Sequence, residues 1–445
     1  MSMKILVIGY YYSMNLGDTV ICDCVASWLR ETFPADEIVI RDIWGRREYA
    51  ASPDVSMQMI RKQRRRVQVR TWLTQHTTYD SQLKHEQYVL EKYGAAMRQI
   101  AEEPCDLVVF AGGQLLTDLM SHELSFYIRA FGERHVPVFL HALGTGPCHS
   151  RNLNRELKEA LHSSSVAWLS VRDHLNAVNQ RYFDAEAGSH VGNCVRKPVS
   201  EVNSGQKDGA EDKGPASEEN SGREDGAEDK RPAPEENSGW NSEGVRRAVF
   251  AADPGLWAAD VYHVNKKQSA GPIGLGIMYP GSIPMGKAVR FWKRLICLLN
   301  KNGVRWQIFT NGDNRDQLFA SYILDQIPSL TKEQRDSCCA APPENAEGLV
   351  RQISGYRSIV SFRLHSHIIA ASLQVPSVAV VWDDKLREFF RLFDREKYCL
   401  SVSDSPEKVL ETLREVEQSG WPEEKILQLR EESRKMLEQA VERYH

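Results

Sequence analysis

The sequence predicts an α/β protein with two doubly wound, Rossmann-like domains facing each other across a cleft, followed by a C-terminal helical tail. Three observations lead there. Short, β-branched apolar runs recur along the chain and stop at glycine, arginine or aspartate, as buried parallel strands do at the edge where ligands bind. Helical patterns separate these runs. One tract that cannot bury a core divides the series in two.

Residues 5–8 are the first strand and run into a Gly/Asn/Gly turn. A helix follows over about 18–32, with Asp18 as its expected N-cap and Val20, Cys24, Ser27 and Trp28 at helical spacing. The turn is not G-x-G-x-x-G and no Walker lysine follows, so neither nucleotide fingerprint is present. Asn15, Gly17 and Asp18 are still expected on the lip of the cleft, because open sheets bind ligands at such turns. Residues 37–42 are the second strand. From 57 to about 100 the pattern is helical and polar, and it contains Arg61-Lys62-Gln63-Arg64-Arg65-Arg66-Val67-Gln68-Val69-Arg70. Such a run is ordinarily a solvated helix face. A second reading places it on a phosphorylated or lipid-linked substrate near an anionic membrane, as a peripheral contact.

Residues 106–116 are a buried strand closing on Gly112 and Gly113, where a backbone or ligand can come close. Residues 136–147 repeat the device with Gly144, Thr145 and Gly146, and 168–173 place Arg172 just past a strand. These ends form a working sheet edge. Then the composition changes. NSGQKDGAEDKGPASEE (203–219) is followed by NSGREDGAEDKRPAPEE (220–236), a tandem repeat with nothing apolar larger than alanine or proline. Disorder is expected there. Residues 203–239 hold 11 acidic and 5 basic side chains, a net of −6; of 56 basic and 60 acidic in all, 51 and 49 remain, or +2. The acidity belongs to the tether.

Residues 248–254 resume folded structure, and 272–278 open a second α/β set. A helix over 287–300 ends at Asn302-Gly303 in the C-cap manner. A strand at 306–310 closes on Asn311-Gly312-Asp313, and 345–354 is a helix. The stretch 361–385, SFRLHSHIIAASLQVPSVAVVWDDK, then reads as strand, tight turn, helix and strand, with Pro376 blocking the helix. Arg363, His365 and free helix N–H groups meet there at the carboxyl end of a strand. A fixed cation, an imidazole and a helix N-terminus favour an anion such as phosphate or carboxylate. His367 lies about 200° around the helix from His365 and reads as a partly buried helix residue, not a second ligand. Residues 406–444 are two amphipathic helices broken near Gly420-Trp421-Pro422. The expected division is an N-terminal domain at 1–200, a disordered insertion at 201–244, a connection at 245–270, a C-terminal domain with the anion site at 271–402, and helices at 403–445.

At 445 residues and 42% hydrophobic the chain can bury two cores. A net charge of −4 gives no global argument for nucleic acid, and no such partner is expected. No segment approaches the ~20 apolar residues that span a bilayer, and 3–9 reads as a strand, not a signal peptide. Nine cysteines without a Cys-x-x-Cys pair read as free thiols of a reducing cytoplasm. Cys22-x-Cys24 and Cys338-Cys339 lack further ligands at zinc spacing, so no metal and no cofactor is expected.

Several pieces resemble the polysaccharide pyruvyl transferase family. They are GYYYSMNLGDTVI at 9–21, DLVVFAGGQLLTD at 106–118, LGTGP at 143–147, VRD at 171–173, Asp253-Pro254 and FRLHSHIIAASLQVPSVAVVWDDK, in that order over most of the chain. The resemblance implies a fold like the two-domain glycosyltransferases of the B type. It also implies transfer of pyruvyl from phosphoenolpyruvate onto two hydroxyls of a sugar residue, forming a cyclic ketal. Members act on bacterial cell-surface glycans, such as capsule or exopolysaccharide, and on fungal cell-wall galactose. The implied donor pocket is Arg363, Leu364 and His365 of the RLH motif with Arg172 of VRD, and Lys385 is added from the same sheet edge. His365 is the expected general acid, with Arg363 beside it. The partners implied are phosphoenolpyruvate and a saccharide acceptor, lipid-linked in one version. The expected location is the cytoplasm, extending to the inner face of its membrane. Gln114 departs from the pattern, standing where a third glycine would follow Gly112-Gly113.

Two further readings stay open at this level. One is a nucleotide-sugar glycosyltransferase of the same architecture, and the other is a non-catalytic module that binds a glycan or partner.

Overall fold

Apolar runs buried on both faces drive two all-parallel sheets, as the sequence predicts. The computed structural model describes residues 2–49, 56–76, 82–184, 240–241, 244–245, 247–265 and 271–445. The tandem repeat lies outside the described residues. The first half runs β1 (Lys4–Gly9), α1 (Leu16–Thr32), β2 (Glu37–Asp42), α2 (Met57–His76), α3 (Gln82–Glu102), β3 (Leu107–Ala111), α4 (Ser121–Glu133), β4 (Val138–Leu143), α5 (Arg151–Leu161), β5 (Val166–Val171) and α6 (Leu175–Tyr182). A small hairpin, β6 (Trp240–Asn241) with β7 (Gly244–Val245), precedes β8 (Val249–Phe250), a 3-10 turn at Pro254–Trp257 and α7 (Ala258–Val261). The second half continues with β9 (Ile273–Gly276), α8 (Met285–Lys301), β10 (Trp306–Phe309), α9 (Asn314–Leu324), α10 (Lys332–Cys338) and α11 (Ala346–Ser354). It ends with β11 (Ser358–Ser361), α12 (Leu364–Ser372), β12 (Ser377–Val380), α13 (Asp384–Arg391), β13 (Cys399–Leu400), α14 (Pro406–Ser419) and α15 (Glu423–Glu442).

The strand orders are β2-β1-β3-β4-β5-β8 and β10-β9-β11-β12-β13. In each sheet the second strand lies on one side of the first and the third on the other. The loops therefore diverge between β1 and β3, and again between β9 and β11, which is where a doubly wound sheet opens for a ligand.

Both sheets belong to one compact unit, Met1–Phe183 with Gly239–His445. One apolar core runs from α1 through the Pro254–Trp257 turn and α12 into the second sheet, with Trp28 edge-on to Trp257 at 4.3 Å. The tail adds a strap. α15 returns to the first half, where Arg434 pairs with Glu31 at 3.1 Å and Ser433 accepts the Ala252 N–H at 2.7 Å.

The polar stretch after β2 is helical as expected, in two helices, α2 and α3. Two local expectations are corrected. Asn15, not Asp18, occupies the N-cap position of α1, and Asp18 lies inside the first turn. His367 is wholly buried, because its ring bridges the Ser377 hydroxyl and the Ser361 carbonyl, both at 3.0 Å, and so pins α12 to β12 and β11.

Candidate active site

The turn after β1 comes first. The Ser13 hydroxyl and the Asn15 amide donate to one oxygen of Asp18 at 3.0 and 3.3 Å, holding that carboxylate inside the turn. The Leu16 N–H donates to the Asn311 carbonyl of the second half at 2.9 Å, which fixes the start of α1 against the loop after β10. On the opposite side β11 ends, and α12 begins with Leu364 and His365. The two arms meet at His365. Its Nδ1 is 3.1 Å from the Asn15 amide, its Nε2 is 3.3 Å from Nη1 of Arg172, and Asp18 is 4.0 Å away.

A guanidinium can only donate, so His365 Nε2 carries the lone pair and the ring proton sits on Nδ1. Gly17 explains how the approach is made. A Cβ there would lie 2.4 Å from the Cβ, Cγ and Nδ1 atoms of His365, so only glycine lets α1 pass the imidazole.

Arg172 follows β5 and is buried. It bonds Asp253 directly and has Asp173 at 3.6 Å. Gly144 leaves room for it, since a Cβ there would meet Nη2 at 2.6 Å. The remaining glycine-loop residues stitch this wall together. Gly112 N–H donates to the His141 carbonyl at 2.9 Å, Gly144 N–H to the Gly113 carbonyl at 2.7 Å, and Gly146 N–H to the Leu116 carbonyl at 3.0 Å. Thr145 donates through its N–H and its hydroxyl to Asp173 at 2.8 and 2.6 Å. Gln114, in the place of a third glycine, donates to the Thr145 carbonyl at 2.7 Å and becomes part of the same wall.

Arg363 is likewise committed. Its Nε donates to Asp316 at 3.0 Å, and Nη2 reaches Asp316 and, at 3.4 Å, Asp313. Asp313 also holds Arg315 through Nη2 at 2.6 Å. Leu364 packs into the core. Lys385 opens α13 under the Asp383 cap, buried, with its ammonium 4.8 Å from the centre of the Trp382 ring.

The electrostatics follow from this crowding. Burial first, then Arg172, Lys385 and Arg363, push the His365 pKa well below the ordinary histidine value, so the free protein holds it neutral. Burial also lowers Lys385. Burial works against the charge on Arg172, but Asp253, Asp173 and Asp18 outweigh it. Burial raises Asp18 and Asp253 and brings Asp316 to about 6, in each case against an arginine that pulls the other way. The result is a neutral imidazole in contact with Arg172 and under the field of Arg363 and Lys385, with both arginines held by carboxylates. Such a site gains most from an anion placed among the cations.

Sequence reasoning did not single out Asp253, Asp313 and Asp316 as site residues. Asp253 and Asp313 lie in the loops after β8 and β10, and Asp316 lies in the first turn of α9. That both arginines are tied down before any ligand arrives rests on contacts between distant segments, which no local pattern reports.

A family model described as polysaccharide pyruvyl transferase matches residues 15–183 and 236–384. No curated protein matches the chain. Among solved structures, Escherichia coli heptosyltransferase WaaC with ADP is 15% identical at a TM-score of 0.40, covering 93% of this chain and 100% of its own. Methanocaldococcus jannaschii UDP-GlcNAc 2-epimerase with UDP-GlcNAc and UDP is 9% identical at 0.44, covering 94% and 92%. Staphylococcus aureus MnaA with UDP is 10% identical at 0.45, covering 97% and 91%.

Proposed function

The chain belongs to the polysaccharide pyruvyl transferase family, a family of transferases of polysaccharide biosynthesis, and on that premise we propose that it moves pyruvyl from phosphoenolpyruvate onto two hydroxyls of a sugar residue as a cyclic ketal. The observation that supports this most is the meeting of Arg172 and His365 at 3.3 Å, with Arg363 and Lys385 also acting on the imidazole. Phosphoenolpyruvate carries a phosphate and a carboxylate, and a cluster of three cations suits a ligand with two anionic ends.

In this reading the donor switches on its own acid. Burial is the first reason that His365 is neutral; the donor's negative charge offsets the second, the nearby cations, and Arg172 turns from His365 Nε2 to the ligand. The imidazole pKa then rises and Nε2 takes up a proton. That proton goes to the methylene carbon, leaving positive charge at the adjacent carbon, which the first sugar hydroxyl attacks. The carbon–oxygen bond to phosphate breaks, and the second hydroxyl closes the ring. Of the two hydroxyl protons lost, one balances the proton delivered to carbon and the other leaves with phosphate. Asp18, 4.0 Å from His365, is placed to help return the imidazole to its starting state.

The test is incubation with phosphoenolpyruvate and a panel of galactosyl, glucosyl and N-acetylmannosaminyl acceptors, free and lipid-linked. Phosphate release matched by the mass gain of one pyruvyl group is expected on at least one of them. Silence across the panel together with turnover of a nucleotide sugar would sink the reading.

A further inference from the structure

Positive charge outside the site carries a second assignment. α2 holds six basic side chains and no carboxylate over its 20 residues. Three of the six are engaged within the protein: Arg64 donates to the carbonyls of Gly281 and Ile283 at 3.0 and 2.7 Å, Arg61 lies over the Tyr322 ring at 4.9 Å, and Arg70 also has a partner. Lys62, Arg65 and Arg66 are exposed and make no ion pair among the described residues.

Tyr322 continues this face. It lines a hollow beside α8 together with Arg290, Lys293 and Arg294, and a second hollow along α8 adds Lys287. Asp404 sits at the edge of the second hollow, where Lys408 holds it at 2.8 Å. Exposed apolar side chains also gather on α2. Met59, Val67, Val69 and Trp72 are each more than half exposed, and they are four of the nine large exposed apolar side chains among the described residues.

We propose that the face made by α2 and the basic flank of α8 docks on an anionic phospholipid bilayer. Unneutralised lysine and arginine on α2 and α8, with α9 packed between them through Tyr322, match a negative surface, each worth roughly 1 kcal/mol there. The exposed apolar groups are mainly aliphatic, which suits the boundary between headgroups and acyl chains. A nucleic acid would call for a row of aromatic platforms, whereas here Tyr322 is covered by Arg61 and Trp72 is the one aromatic of the four exposed apolar groups on α2. Apolar and basic residues are interleaved on α2, so the contact is shallow adsorption, not insertion.

The face adjoins the proposed active site. The loop clamped by Arg64 also presents the Tyr279 N–H to Asp316, the partner of Arg363, at 2.8 Å. In the same loop Ser282 bonds the Trp382 carbonyl at 2.9 Å, and the Trp382 ring lies against Lys385. A bilayer on this face therefore brings a lipid-carried acceptor to the edge of the site. The docking itself does not depend on the identity of the donor.

Co-sedimentation of the full chain with vesicles of phosphatidylcholine alone, or mixed in equal parts with phosphatidylglycerol, tests the assignment. Binding is expected only to the mixed vesicles, and it should vanish when salt shortens the screening length to about 3 Å. Arg65→Glu with Arg66→Glu, and separately Arg290→Glu with Arg294→Glu, should each lower the partition coefficient at least about tenfold with the circular dichroism unchanged. Equal binding to neutral vesicles, no binding to either, or full binding by both folded double variants would overturn it. So would a polyuridine strand that displaces the mixed vesicles at equal charge.

Discussion

At the scale of single residues, function depends on how a buried imidazole is kept neutral and then protonated. His365→Ala should lower kcat/KM by about 10²–10⁴, the range for losing a positioned general acid, with the fold intact by circular dichroism. Gly17→Ala is a sharper test because it leaves every polar group in place. The new methyl would need space already filled by His365 at 2.4 Å, so the ring must shift. A loss of kcat of at least about tenfold is expected, since small misplacements of reacting groups are costly. A Gly17→Ala enzyme with normal kinetics would mean that the position of the imidazole does not matter. Asp253→Asn should raise KM for the donor more than it lowers kcat, because it frees Arg172 from the group that aims it. The sequence located the arginines and the histidine, since each follows an apolar run. Their tethering by Asp253, Asp313 and Asp316 depends on contacts between strands far apart in the chain, which periodicity does not report.

At the scale of elements, the strands were legible because buried parallel strands are short continuous apolar runs. The ends of β1, β3 and β9 differ from their expected positions by one to five residues. The start of α1 was less legible. Asp18 has the composition of an N-cap, but its carboxylate is taken up by Ser13 and Asn15, and the helix begins earlier. α12 carries a pH signature of its own. Burial lowers His367 to about 4, so on unfolding the histidine gains a proton near its ordinary value that the folded state refuses until about pH 4. This contribution is absent above pH 7, and stability is lost as the pH falls through about 6.5. Between pH 7 and pH 5 the loss is about 2 kcal/mol. A His367→Gln protein should lack that increment when urea unfolding is compared at the two pH values.

At the scale of the whole molecule, two sheets of the same strand order bring their switch points together, and the core through α1, the Pro254–Trp257 turn and α12 fixes how they meet. This is why Arg172 and His365, nearly two hundred positions apart, share a hydrogen bond. The strap formed by α15 was legible only as a helix, because its return to Glu31 and Ala252 is a matter of tertiary packing. The tandem repeat enters no part of the proposed chemistry, and its composition cannot supply a packed core. Deleting residues 203–239 should leave turnover within about twofold of the full chain, and loss of activity would give the acidic tract a role.

An anionic donor is expected to bind among Arg172, Arg363 and Lys385 and thereby to protonate His365. Titration calorimetry with phosphoenolpyruvate in two buffers of different ionisation enthalpy tests it without knowledge of the acceptor. Saturable binding near pH 7 is expected, with proton uptake that exceeds that of a His365→Gln protein and with binding weakened in Arg172→Ala and Arg363→Ala. Identical proton balance in the wild type and His365→Gln would contradict it, as would binding of a nucleoside diphosphate in place of phosphoenolpyruvate.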